Sequence, residues 1–187
     1  MSNRGLDIEL IKKILRDNGW DVTCLTFIEA TKPNILASIS LMGLREDSND
    51  IVMFYFSGHG TYNTIAAWGG LGISVGDLND RFDSFDSKKM VMIFDTCHAG
   101  SLPKASSEEN NIDGFDGIFD RLAKVGRTII TSCKRFENSA GSSELNNGIF
   151  TYYYLEGLEG KGFSDKDFDG KISAKEAFKY AKPKTTF

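Results

Sequence analysis

The chain is poor in the residues that hold small secreted or metal-stapled folds together. Its 187 residues include only three cysteines, two histidines and three prolines. Cys24, Cys97 and Cys133 are odd in number and lack metal-ligand spacing, which argues against a disulfide framework and leaves at least one thiol over. Excess positive charge is also missing: the formal net charge is −4, so neither nucleic acid nor an anionic membrane is expected as a partner. No apolar run reaches the roughly 18 residues of a membrane span. The start, MSNRGLDIELIKK, has no basic-then-apolar leader pattern, so a soluble chain is expected.

What remains is ordinary for a globular protein, with 41% hydrophobic and 26% charged residues. The length suits one domain spanning residues 1–187. Apolar positions Leu6, Leu10, Ile11, Ile14 and Leu15 fall on one helical face, closed by Asn18-Gly19. DVTCLTF, residues 21–27, reads as a strand. Thr31 and Pro33 open a second helix. DIVMFYF and KMVMIF are continuous apolar runs, too short for helices of their own, and read as buried strands. SVGDLNDRFDSF is helical, with Val75, Leu78 and Phe82 inward. IDGFDGIFDRLAK reads as a helix, RTIITSC as a strand and GIFTYYYLEGLEG as a further helix. Apolar strands alternating with helices predict an α/β fold with a mostly parallel sheet covered by helices on both faces. Residues 103–114, PKASSEENNIDG, form the one long polar stretch and read as an exposed loop.

Two strand ends carry chemistry. MFYFSGHG ends at His59, and VMIFDTCHAG ends at Cys97, so both histidines of the chain sit in these tips. In an open parallel sheet, ligands bind beyond the carboxyl ends of the strands. A cysteine nucleophile needs a base or cation nearby, because a thiol with a pKa near ~8.5 is mostly protonated at neutral pH. His59 suits that role from a neighbouring strand. His98 suits it less, since adjacent residues of an extended segment point to opposite sides. Gly60 admits close backbone approach, and its N–H with that of Cys97 forms a candidate oxyanion site. A phosphatase-type thiolate loop is excluded, because the arginine it requires six residues after the cysteine is Pro103 here. A lone histidine or cysteine at such a place is more often structural; the two motifs together are what carry the reading.

FYFSGHG followed by IFDTCHAGS resembles the caspase-like cysteine peptidases, in particular the metacaspase and prokaryotic caspase-like branch. TIITSCKRFENSAGSS and NNGIFTYYYLEGLEG extend the resemblance over most of residues 6–181. It implies an endopeptidase with Cys97 as nucleophile and His59 as base. It also implies that Asp95 lines the pocket for the side chain before the scissile bond, with Asp7 as a second pocket acid. Two carboxylates there would favour peptide or protein substrates with Arg or Lys. The resemblance further implies a strand ahead of the first helix, which this sequence lacks. A catalytically inactive binding domain or a fragment of a peptidase is therefore the alternative reading. Lys104, the one basic residue of the exposed loop, is a candidate for self-cleavage.

Independently, DKDFDGKISAKE, residues 165–176, fits a twelve-residue calcium loop. Asp165, Asp167 and Asp169 take positions one, three and five, Gly170 the turn, and Lys171 the carbonyl at seven. Ser173 falls at nine and Glu176 at twelve. The competing reading is an acidic turn whose Ser173 and Glu176 form a capping box on the last helix. Ca2+ with a structural role, anchoring that helix, is the expected cofactor. A separate acidic site involving Asp77 and Asp80 is conceivable on the resemblance alone.

Overall fold

The computed structural model describes residues 4–61, 64–96, 122, 125–132, 141–142 and 147–185. The chain divides into two compact units: Met1–Val22 with Ser139–Phe187, and Thr23–Asn138.

The first unit opens with α1 (Arg4–Asp17), as the helical spacing predicts. Gly19 follows with a left-handed φ of 81°, the usual way to end a helix. After the second unit come a short antiparallel pair, β7 (Gly141–Ser142) and β8 (Asn147–Gly148), then α4 (Ile149–Leu158) and α5 (Ala174–Thr185). Phe150, Tyr154 and Leu155 of α4 are buried, with Phe150 stacked on Tyr154 and tilted against Phe178 of α5. The two helices approach closely where Gly157 faces Ala177.

Residues 20–26 run from the first unit into the second and form no strand of the described sheets, so the strand expected at 21–27 is not seen. Its end is diverted locally. Phe27 takes a φ of 44°, and the Glu29 carboxylate accepts from the Thr26 N–H at 3.3 Å, folding Phe27–Glu29 into a 3-10 turn. Next, α2 (Lys32–Gly43) is capped by Thr31, whose hydroxyl accepts from Asn34 N–H, with Pro33 in its first turn. β1 (Val52–Gly58) leads into a small antiparallel sheet of β2 (Gly60–Thr61), β3 (Thr64–Ala66) and β4 (Gly72–Ser74). Then α3 (Val75–Phe82) starts at a capping box: Ser74 and Asp77 exchange hydrogen bonds, 3.0 Å each way. Val75, Leu78 and Phe82 face inward as predicted.

β5 (Met90–Thr96) and β6 (Arg127–Thr131) complete a three-stranded parallel sheet in the order β1-β5-β6. Among the described residues no strand of this sheet precedes α1 or α2 in the chain. Phe54 of β1 and Phe94 of β5 stand 5.7 Å apart, and Phe54 meets Phe82 of α3 edge-on at 5.4 Å. These rings pack α3 onto the sheet. The helix expected at 112–124 lies outside the described residues, apart from the buried Leu122.

Candidate active site and candidate cation loop

The parallel register of β1 and β5 runs without slippage to its last pairs, Ser57 with Asp95 and Gly58 with Thr96. His59 and Cys97 are the next residues in the sequence. The register brings the two strand ends, Gly58 and Thr96, to the same edge of the sheet, where a parallel α/β fold keeps its ligands. Cys97 and His98, the 103–114 loop and Lys104 lie outside the described residues.

His59 occupies a singular place. It is the one residue between β1 of the parallel sheet and β2 of the antiparallel sheet. Its side chain is exposed. Its carbonyl accepts a hydrogen bond from Ala66 N–H at 2.9 Å, and Gly60, next to it, pairs with Ile65. Asp95 is only 4% exposed and lies in the strand beside Ser57. It shares that buried strand end with Thr96, so the tip of β5 is polar where the rest of the strand is apolar. Asp7 belongs to the other unit, in the first turns of α1.

The small sheet β2–β4 escaped the sequence reading. Its strands are two or three residues long, below what alternation can reveal. A signal was present in the Gly69-Gly70 pair, both left-handed at φ 87° and 83°, flanked by Ile65 and Ile73.

In the 165–176 segment, ligand oxygens of Asp165, Asp167 and Asp169 all lie within 4.8 Å of one another. Two of these carboxylates accept from backbone two residues on: Asp169 N–H reaches Asp167 at 3.3 Å and Lys171 N–H reaches Asp169 at 2.8 Å. Asp165 Oδ2 accepts from Gly170 N–H at 3.0 Å, with Gly170 at φ 78°. Asp165 Oδ1, by contrast, is buried and has no hydrogen-bond partner. A bare carboxylate oxygen beside two more carboxylates is costly unless a cation faces it, so the donor set fits a hard ion such as Ca2+.

Glu176 is not gathered into that group. Its Oε2 accepts from Ser173 N–H and Oγ–H at 2.9 and 2.8 Å, and its Oε1 from Lys166 N–H at 2.7 Å. The Ser173 hydroxyl accepts from Glu176 N–H at 3.2 Å, completing the capping box of α5. The Ser173 amide, then the Lys166 amide and the Ser173 hydroxyl, hold the Glu176 carboxyl down at about 2. The capping reading is thus realised, while the three aspartate carboxylates stand together beside it. Asp77 is likewise engaged, as a helix cap and as partner of Lys32 at 2.8 Å.

The family model described as Caspase domain matches residues 2–179. Among solved structures 38 chains match. One is a crystal structure of a protein from Geobacter sulfurreducens, with a TM-score of 0.64 and 18% identity, covering 84% of this chain and 72% of that one. At that identity the likeness speaks for the fold alone. No protein with a curated description matches.

Proposed function

Because the chain belongs to the caspase domain family, a family of cysteine peptidases acting on peptides or proteins, we propose that it is an endopeptidase with a Cys97–His59 dyad. The observation that carries this reading is the register that ends at Gly58 and Thr96, one residue short of His59 and Cys97 in the sequence. In the proposed reaction the Cys97 thiolate, formed as His59 takes its proton, attacks the scissile carbonyl carbon. The N–H groups of Gly60 and Cys97 bind the oxyanion. His59 returns the proton to the leaving amine as the C–N bond breaks, leaving a thioester on Cys97. Water, giving a proton to His59, then hydrolyses the thioester and restores the thiol.

Selectivity for Arg or Lys is proposed on Asp95. A carboxylate that is 4% exposed, two residues before the proposed nucleophile in the sequence, favours a cationic side chain and repels an acidic one.

Calcium belongs to the proposal as well. Asp165, Asp167, Asp169, the Lys171 carbonyl and Glu176 would hold the ion, with Ser173 acting through water. The ion would supply charge neutralisation to the aspartates and brace α5; it takes no part in the reaction. To join the ligand set, Glu176 would exchange its hydrogen bond from Lys166 for the cation.

The test is hydrolysis of fluorogenic peptides ending in Arg, Lys, Asp or Asn, with calcium or chelator, comparing the parent chain with Cys97→Ala and Asp95→Asn. Cleavage after Arg or Lys that vanishes in Cys97→Ala and loses its preference in Asp95→Asn is expected. Silence on every peptide from folded protein would refute the reading in favour of a binding domain.

A further inference from the structure

His59 has an exposed side chain, so packing around the imidazole contributes little to its placement. Something else must aim it, and the backbone on either side is held unusually well. Gly58 pairs with Thr96 in the parallel sheet, and Gly60 pairs with Ile65 in the antiparallel one. The His59 carbonyl itself is fixed by Ala66 N–H at 2.9 Å. Fixing the peptide units before and after a residue fixes the direction of its Cα–Cβ bond.

Strands of two and three residues do not hold themselves. The small sheet is held from outside. Ile65 and Ile73 are cross-strand partners and both are buried in the core, at 4% and 0% exposure. Ala67 N–H closes the β3–β4 turn on Leu71 O at 3.0 Å. That turn is tied to the start of α2: Trp68 N–H donates to Ala30 O at 2.8 Å, and Trp68 bridges Thr31. The other end is tied to the same place. Ser74 ends β4 and caps α3, and its cap partner Asp77 accepts from Lys32 Nζ at 2.8 Å. Residues 30–32 thus grip the small sheet at both ends of β4.

We infer that the antiparallel sheet β2–β4, gripped by residues 30–32, is the device that positions His59, with the Ala66 N–H as its contact. Ala66, Lys32 and Asp77 are positioning residues; none touches the reacting atoms. The inference rests on His59 being the base of the proposed dyad. Its chemical meaning is direct. A base displaced by about an ångström loses a large part of its rate contribution, and a thiol losing its imidazole partner reverts toward its ordinary pKa.

The deciding experiment replaces Ala66 by lactic acid in the full chain, turning its N–H into an ester oxygen while keeping the methyl group. Ala66→Ser, which retains the N–H on an exposed residue, is the control. Lys32→Met, which leaves the ladder intact and cuts the remote grip, is the second variant. Two quantities are read: kcat and KM on an Arg or Lys peptide, and the pH midpoint for iodoacetamide alkylation of Cys97, followed by mass spectrometry. The ester is expected to lower kcat roughly tenfold or more with KM within about twofold, and to move the midpoint up toward ~8.5. Lys32→Met is expected to move both in the same direction by less, and Ala66→Ser to match the parent. An ester variant with parental kcat and midpoint would overturn the inference. If the ester chain fails to fold, parental values in Lys32→Met would do so. A parent chain whose turnover and alkylation ignore His59→Ala would refute the dyad, and the inference with it.

Discussion

Gly58 and Thr96 are register partners, the last pair of the parallel ladder between β1 and β5. Neither carries chemistry, yet the pair sets the relation of the two motif ends. Gly58 is constrained by its own strand: a Cβ there would stand 2.5 Å from the ring tip of Phe56, two residues back. Phe56 packs against the core, so the ring cannot move away at no cost. Gly58→Ala is expected to destabilise the chain by about 1–2 kcal/mol. It should also depress turnover beyond what the loss of folded protein explains, because the strand must shift next to His59. Urea midpoints and peptidase rates, measured on the same preparation, separate the two effects.

A second prediction concerns pH. The Asp77 carboxyl is held below the usual carboxylate range, first by Lys32 and then by the Ser74 amide. Its folded pKa lies below its unfolded one, so its stabilisation is complete above the unfolded value of ~3.9 and fades as pH falls through the folded value. Asp77→Asn should cost about 0.5–1 kcal/mol at pH 7, mostly through the helix cap, since a pair one-third exposed is worth little by itself. The cost should shrink at acid pH. Urea unfolding at pH 7 and pH 3 checks both the magnitude and the sign. An equal cost at the two values would show that the charge on Asp77 is irrelevant.

These two regions also mark what could be read in advance. β1 and β5 open on apolar runs, Val52–Phe56 and Met90–Phe94, and such runs are visible in any sequence, whereas β6 carries only Ile129 and Ile130 as its buried apolar pair. α3 was legible in its inward face, since Val75, Leu78 and Phe82 repeat at helical spacing, although the helix stops at Phe82, short of the expected residue 85. The small sheet was not legible, because Gly60–Thr61 and Thr64–Ala66 owe their pairing to a distant grip at residues 30–32. The expected strand at 21–27 failed for a local reason. Its residue types fit a strand, but Thr26 and Glu29 bond locally and turn the chain at Phe27. In the acidic loop the capping pattern is the one formed, by Ser173 and Glu176 on α5, while the carboxylates of Asp165, Asp167 and Asp169 stand close together.

Calcium should be visible as stability even if activity were ignored. Asp165 Oδ1 is buried without a donor, and an ion there would relieve that cost while neutralising Asp167 and Asp169. At a concentration roughly 100 times Kd, a ligand specific for the folded state adds about 2.7 kcal/mol. Saturating calcium should therefore raise the thermal midpoint of the parent chain by several degrees, and a chelator should reverse the shift. Asp165→Asn removes the charge but keeps an oxygen for Gly170 N–H, so it should fold and show almost no calcium response. A full response in that variant would place the ion elsewhere.

Gly157 of α4 lies against Ala177 of α5: a Cβ on Gly157 would meet Ala177 Cα at 2.8 Å and its carbonyl oxygen at 2.9 Å. Both are backbone atoms, so the clash cannot be relieved by rotating a side chain. Alanine at position 157 gains about 0.8–1.0 kcal/mol of helix propensity over glycine. Overpacking costs about 1–3 kcal/mol, and the Ser164 hydroxyl bond to Gly157 O at 2.8 Å is strained along with it. The clash should win, leaving Gly157→Ala less stable by about 1–2 kcal/mol in urea unfolding. Adding Ala177→Gly should not rescue it, because the obstructing atoms remain. Glu176 is the residue before Ala177, so any displacement of α5 at this contact moves the carboxylate that would have to turn toward the aspartates. Gly157→Ala should therefore also weaken calcium affinity, which calorimetric titration would detect. Unchanged affinity in the destabilised variant would show that the loop binds its ion without help from α5.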